Sequence, residues 1–395
     1  MSAPRPGGAV TPGTSADPRL AIQRLRAARP DAEAAGRFVE GQKTIPIVEG
    51  ASVTFLYRGA ADAVILRHWI FGLESTQPFH RIENTDLWYL VFDLPENSRV
   101  EYKLEIVEGE NRRLIEDPRN PNRAHDPFGS NSVVHGAGYT VPEWTRPDPE
   151  ARPGELSEFT LPSAAFGDDR AVTLYTPARF RTTRAYPLLI VHDGGDYLRY
   201  SGLKTVLDNL IHRLEIPSMV VALTHPKKRL EEYSDSPAHA RYVVEELVPH
   251  LEGRLPLAGE PWTRGLMGAS FGGVASLAAA WRYPGFFGQL LLQSGSFAFT
   301  DIGDHRRGPT FDPVVDFVNA YRDNPIKVSD RVFVSCGMYE SLIYENRSLV
   351  PVLQSTGMDL RYVEARDGHN WENWRDRCRE GLSWLFPGPL WMVYE

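Results

Sequence analysis

The feature that most constrains this chain is Arg264-Gly-Leu-Met-Gly-Ala-Ser-Phe-Gly-Gly-Val274, with Ser270 at the centre of Gly268-x-Ser270-x-Gly272. An apolar run leads in and a small-residue run, Val274 to Ala280, leads out with helical composition. A strand, a sharp turn and a helix give this pattern its meaning as a nucleophile elbow. The glycines have a physical reason, because side chains there would collide with the neighbouring strand or helix. A helix starting at Phe271 turns its first N–H groups and the positive end of its dipole toward a developing oxyanion. The competing explanation is a Gly/Ser-rich turn that merely caps a helix. It accounts for the five residues but not for the partners found downstream.

From residue 155 strands and helices alternate. Strands are expected near Leu156–Leu161, Ala171–Tyr175, Leu188–His192, Met219–Leu223, Gly265–Met267, Gln289–Leu292, Val332–Cys336 and Leu360–Glu364. Helices are expected at Lys204–Arg213, His239–Leu251, Phe271–Arg282, Pro313–Tyr321, Leu342–Gln354 and Asn373–Leu385. Apolar strands joined by helical crossovers predict a mostly parallel eight-stranded sheet with helices on both faces, as in an α/β-hydrolase. The first strands have no helix between them and should form an antiparallel edge.

Functional groups in such sheets gather at the carboxyl ends of strands. Glu340 follows the seventh strand and His369 follows the eighth, so Ser270, Glu340 and His369 run in the order Ser…Asp/Glu…His. A serine hydroxyl attacks only when an imidazole takes its proton, and a carboxylate must fix that imidazole's tautomer. Glu345 is the second candidate for the acid, and His192, His225 and Asp367 also fall near strand ends. The loop Val191-His-Asp-Gly-Gly-Asp-Tyr197 follows the third strand, where a second oxyanion donor belongs. The expected hole is the N–H of Phe271 with that of Gly195, or Gly194 in its place. Asp193, Tyr197, Trp371 and Trp374 are the expected substrate contacts. No metal-ligand spacing and no phosphate loop occur, so neither metal nor cofactor is expected. Lys227-Lys-Arg229 reads as a solvated loop.

Upstream, residues 41–140 change to period two. Ser52–Tyr57, Ala63–Trp69, Leu87–Asp93 and Val100–Val107 are rich in β-branched and aromatic residues with turn signals between them. That predicts a β-sandwich. Residues 116–133, dense in proline and asparagine, read as a loop. Trp69 and Trp88 either pack the sandwich core or stack on a ring-shaped ligand. Residues 1–40 read as a disordered start followed by a short helix interrupted at Pro30. Residues 141–154, with four prolines, read as a linker. It implies a catalytic domain over 155–395 that works on small esters by itself, with the sandwich contributing only to binding.

A net charge of −8 argues against nucleic acid as a partner. The two cysteines, Cys336 and Cys378, sit in apolar patterns and read as buried free thiols. No run reaches the roughly 18 apolar residues of a membrane helix, and the start lacks the apolar core of a signal peptide. No membrane partner and a cytoplasmic location are the expectation.

Gly-Ala-Ser-Phe-Gly-Gly at 268–273, the His-Asp-Gly-Gly loop, Gly-x-x-Glu-Ser-Leu-Ile at 337–343 and Asp-Gly-His-Asn-Trp-x-x-Trp-Arg at 367–375 resemble the enterochelin (ferric siderophore) esterases and the wider esterase D group. The likeness covers about 44–390. It implies an immunoglobulin-like early-set sandwich before the hydrolase domain. It also implies hydrolysis of the serine trilactone of a catecholate siderophore in the cytoplasm, with the ferric siderophore as small-molecule partner. Members of the wider group act on feruloyl, acetyl or S-formyl esters. Two other readings stand beside it: a carbohydrate or feruloyl-type esterase whose sandwich binds glycan, and a non-catalytic binding protein on a hydrolase fold.

Overall fold

The computed structural model describes residues 11–13, 17–300, 304–305 and 307–389. The chain divides into two compact units. The first runs to Val141 and also takes in two short returns, Met338–Ser341 and Arg366–Gly368. The remainder, from Pro142, is the second.

The first unit holds two antiparallel sheets. One pairs Leu87–Asp93 with Ser52–Arg58 and Thr11–Gly13, and Ser52–Arg58 with Ile47–Glu49. In the other, Arg99–Glu108 lies between Ala63–His68 and Gly129–His135. Val53, Phe55, Leu90 and Phe92 from one sheet meet Val64, Leu66, Tyr102, Leu104 and Ile106 from the other. Burial of each such side chain stabilises the fold by about 1.5–3 kcal/mol. Strict alternation fails in Leu87–Asp93, where six consecutive residues are buried. The reason is a second apolar layer: Ile22, Ala35 and Val39 pack on Leu56, Leu87, Tyr89 and Val91. Those residues come from two helices, Ala21–Ala27 and Ala32–Glu40, separated around Pro30. Asp31 caps the second by accepting from the Ala34 N–H. The expected disorder at the chain start falls mostly on residues outside those described. Thr11–Gly13 is the exception, since it pairs in the sheet.

The Pro/Asn-rich stretch is not simply a loop. Arg123–Asp126 and Gly129–His135 form a hairpin. Asn120 Nδ2 donates to Tyr102 Oη (3.0 Å) and to the Val133 carbonyl (2.7 Å), and the Tyr102 hydroxyl donates to Asp117 (2.7 Å). Turn-forming residues here satisfy buried partners, which a local pattern does not reveal. Trp88 is buried in the core, whereas Trp69 is 56% exposed.

The second unit carries one eight-stranded sheet. Its strands are β1 (Glu155–Ser163), β2 (Asp168–Thr176), β3 (Leu188–Val191), β4 (Val220–Thr224), β5 (Arg264–Ala269), β6 (Gln289–Gln293), β7 (Arg331–Gly337) and β8 (Asp359–Ala365). They lie in the order β1-β2-β4-β3-β5-β6-β7-β8. The first two pairings are antiparallel and the rest parallel, as expected. β3, β4 and β6 are buried throughout. Helices cover one face around Val274, Leu277, Phe317, Leu349 and Leu353, and the other around Leu207, Leu210, Cys378 and Leu382. Cys336 and Cys378 are buried free thiols.

Two details depart from the sequence reading. The helix expected over His239–Leu251 is broken by a π-helical turn, Tyr242–Leu247, just before Pro249. Proline lacks an N–H and crowds the preceding turn, so a wider turn relieves it. The expected linker is docked rather than free: Trp144 is buried in the second unit's core, and Asn209 Nδ2 donates to its carbonyl at 2.8 Å.

Candidate active site

Ser270 stands between β5 and the helix Phe271–Arg282. Its backbone holds φ 57°, ψ −122°, a conformation costly for any residue with a Cβ. Neighbouring contacts impose it. The Ser270 N–H donates to the Gln293 carbonyl (2.9 Å), and the Ser270 carbonyl accepts from the N–H groups of Gly273 (3.1 Å) and Ser296 (3.1 Å). The glycines are explained by space. A Cβ on Gly268 would lie 2.2 Å from the Gly272 carbonyl oxygen, and one on Gly272 would lie 3.2 Å from His192 Cβ. Gly268→Ala should therefore destabilise the protein by about 3 kcal/mol or prevent folding. A urea midpoint equal to wild type would show that the turn is not this tight.

Ser270 Oγ lies 3.1 Å from Ser296 Oγ. Ser296 escaped the sequence reading, although Ser294-Gly-Ser296 directly follows β6, the strand beside the elbow. Phe271 is the first residue of its helix, where N–H groups have no partner within the helix. Gly194 and Gly195 open a seven-residue helix, Gly194–Tyr200, where only a glycine loop was expected. A Cβ on Gly194 would lie 2.3 Å from Leu223 Cβ, and one on Gly195 would meet the His225 ring at 3.2 Å. These glycines serve close packing.

The expected substrate contacts all have partners within the protein. Asp193 has a left-handed backbone, and its buried carboxylate forms a two-point ion pair with Arg229 (2.8 and 2.7 Å). Arg229, read as part of a solvated run, is what fixes this loop. Tyr197 is fully buried and donates its hydroxyl to Gln293 Oε1 at 2.7 Å. Trp371 and Trp374 are buried too; their rings meet edge to face at 4.7 Å, and Trp374 Nε1 donates to Ser294 Oγ at 2.9 Å. Their spacing on Trp371–Leu385 puts both on the core face of that helix.

His369 follows β8, and its ring stands edge to face with Trp374, 5.0 Å between centroids. Glu340 follows β7 and is buried, 4% exposed. Glu345 lies in the first turn of Ile343–Ser355 and forms an ion pair with Arg307. Asp367 pairs with Arg99. His225 Nε2 lies 2.8 Å from Thr173 Oγ1.

His192 is buried under the elbow. Its Nε2 lies 2.8 Å from His239 Nε2 and its Nδ1 3.0 Å from Ser276 Oγ. Burial drives the His192 imidazole down to about 4. Burial, and then His192 itself, holds His239 well below its ordinary value. A folded value below the unfolded 6.5 means that the unfolded chain takes up the proton first. Stability is therefore full above pH 6.5 and falls as pH drops toward 4, by about 3 kcal/mol from His192 alone. Urea midpoints at pH 7 and 4.5 check this; His192→Gln should remove part of the slope. An identical pH dependence in both proteins would contradict it.

A family model described as "Putative esterase" matches residues 163–385. An iron(III) enterobactin esterase of Escherichia coli is 25% identical over 84% of this chain and 90% of its own length. Among solved structures, enterochelin esterase from Shigella flexneri superposes with a TM-score of 0.70 at 20% identity, covering 88% of this chain and 97% of that one. The Shigella flexneri enterobactin esterase crystallised in the presence of enterobactin gives a TM-score of 0.69 at 23% identity, over 85% and 92%. Among the described residues, no helix is long and apolar enough to cross a membrane.

Proposed function

We propose a reaction for a chain that belongs to the esterase family and, within it, stands with the enterobactin esterases: it hydrolyses a carboxylic ester through an acyl-enzyme on Ser270. The observation that carries this reading is the backbone of Ser270, held at φ 57° between a buried strand and a helix start. Strain is maintained at a serine when its hydroxyl must project from a sheet end.

In the proposed mechanism His369 takes the Ser270 hydroxyl proton as Oγ adds to the ester carbonyl. The tetrahedral oxyanion receives the N–H of Phe271 and that of Gly195 or Gly194. His369 then passes the proton to the departing alcohol, and water repeats the sequence to release the acid. Glu340 orients the His369 ring. Two facts favour Glu340 over Glu345: it follows its strand directly, and Glu345 is taken up by Arg307. Ser296, 3.1 Å from Ser270 Oγ, sets the serine's resting rotamer.

The proposed substrate is a catecholate siderophore lactone, on the strength of the enterobactin-esterase likeness along 84% of the chain. A second reading, a feruloyl or carbohydrate-type esterase, draws on the exposed Trp69. It borders a cleft of about 330 Å³ with Arg67, Glu105 and Arg112, where a ring could stack. One screen separates the readings: ferric and iron-free siderophore lactones, feruloyl esters, acetylated sugars and p-nitrophenyl acetate. The lactone is expected to give the highest kcat/KM. A preference for feruloyl or sugar esters would replace the siderophore assignment, and turnover of none would overturn the reaction class.

A further inference from the structure

We propose that Arg99 is a positioning residue for this reaction. Its buried ion pair with Asp367, together with the bond between Ser98 and Tyr339, holds the two segments that carry Glu340 and lead into His369. The inference rests on the ester-hydrolysis reading above.

Residues Met338–Ser341 and Arg366–Gly368 belong to the first compact unit although they lie far down the sequence. Arg99, the first residue of its strand, grips the second segment twice. Its backbone N–H donates to the Arg366 carbonyl (2.9 Å), and its Nη1 lies 3.1 Å from Asp367 Oδ1. Both side chains are almost fully buried, 3% and 7% exposed, and the guanidinium also reaches Glu101 at 3.3 Å. The same Asp367 carboxylate accepts from the Gly368 N–H at 2.7 Å, one residue before His369. Arg366 adds a bond from Nη1 to the Glu96 carbonyl, 2.6 Å.

The other segment is held as firmly. Tyr339 Oη lies 2.6 Å from Ser98 Oγ, and the Tyr339 carbonyl accepts from the Phe71 N–H at 2.8 Å. The Tyr339 ring joins the apolar core that contains Phe92, Tyr102 and Val134. The two segments are also tied to each other, since the Tyr339 N–H donates to the Asp367 carbonyl at 3.0 Å. One cluster of buried bonds therefore fixes the residue before Glu340 and the residue before His369. A buried charge pair resists displacement because either partner alone would be left uncompensated. Catalytic groups must be held within about 0.5 Å, and a misplacement of about 1 Å costs about 100-fold.

The test uses the full-length protein, with Arg99→Met, Arg99→Lys and Asp367→Asn. Readouts are kcat and KM on p-nitrophenyl acetate, the rate of fluorophosphonate labelling at Ser270, and hydrogen exchange over 338–341 and 366–369. Arg99→Met should lower kcat and the labelling rate by about 10- to 100-fold with KM within about twofold. Exchange in both segments should rise. Arg99→Lys should recover part of kcat, and the double variant Arg99→Met/Asp367→Asn should be no worse than the poorer single one. A folded Arg99→Met with wild-type kcat and labelling would overturn the proposal. If Arg99→Met does not fold, Ser98→Ala decides: it should keep the melting temperature within a few degrees and lower kcat several-fold, and an unchanged kcat counts against the clamp. If the wild type hydrolyses no ester, the reaction class fails; unchanged exchange in Arg99→Met would then separately reject the clamp.

Discussion

Replacing Ser270 with alanine should lower kcat on p-nitrophenyl acetate by on the order of 10⁴-fold or more, because the proposed acyl-enzyme forms on its hydroxyl. Folding should survive. Alanine carries the same Cβ into the strained backbone, and the lost hydroxyl gives up its 3.1 Å contact with Ser296 Oγ. The turn is instead held by backbone bonds to Gln293 and Ser296, which alanine keeps. A melting temperature within a few degrees of wild type, with activity gone, is the expected combination. Retained turnover in a purified, folded Ser270→Ala protein would move the chemistry elsewhere.

The second large effect concerns the acid. Glu340→Gln should lower kcat by about 10³- to 10⁴-fold, since an amide can hold the imidazole in the wrong tautomer and cannot stabilise its positive charge. Glu345→Gln should leave kcat within a few-fold. Its carboxylate sits on a helix and pairs with Arg307, so its loss should appear as reduced stability. Parallel kinetics and thermal melts on the two variants check this. If the effects are reversed, the acid is Glu345.

Much of the architecture was legible because it is written locally. The sheet's strands are short runs of Val, Leu and Ile buried on both faces, so β3, β4 and β6 announce themselves. The turn at Ser270 was legible for the same reason: Gly268 is demanded by a contact only four residues away, at Gly272. What the sequence does not reveal depends on partners far away in the chain. Asp193 and Arg229 lie 36 residues apart, and only the fold shows that Asp193 is committed to an ion pair. The Tyr197 and Trp374 side chains turn inward to Gln293 and Ser294, and the Trp371 ring packs edge to face against both of those rings. The helix Gly194–Tyr200 was missed because two glycines at its start look like a loop; they are needed for close approach to Leu223 and His225.

The linker misled in a more instructive way. Its prolines suggest a clean cut near residue 154, leaving a self-sufficient catalytic domain. The compact units do not divide there in a simple manner, because Met338–Ser341 and Arg366–Gly368 belong with residues before Val141. A cut at the linker would strip those segments of Ser98, Arg99 and Phe71. The expectation that the catalytic domain alone handles small esters is thus withdrawn on physical grounds.

The most direct test of the central claim is to treat the native protein with a fluorophosphonate and locate the adduct by peptide mass spectrometry. A single phosphonylated site at Ser270, absent in Ser270→Ala and formed slowly in His369→Ala, is the expected result. No adduct on folded protein, or an adduct on another residue that persists in Ser270→Ala, would contradict the assignment of Ser270 as nucleophile.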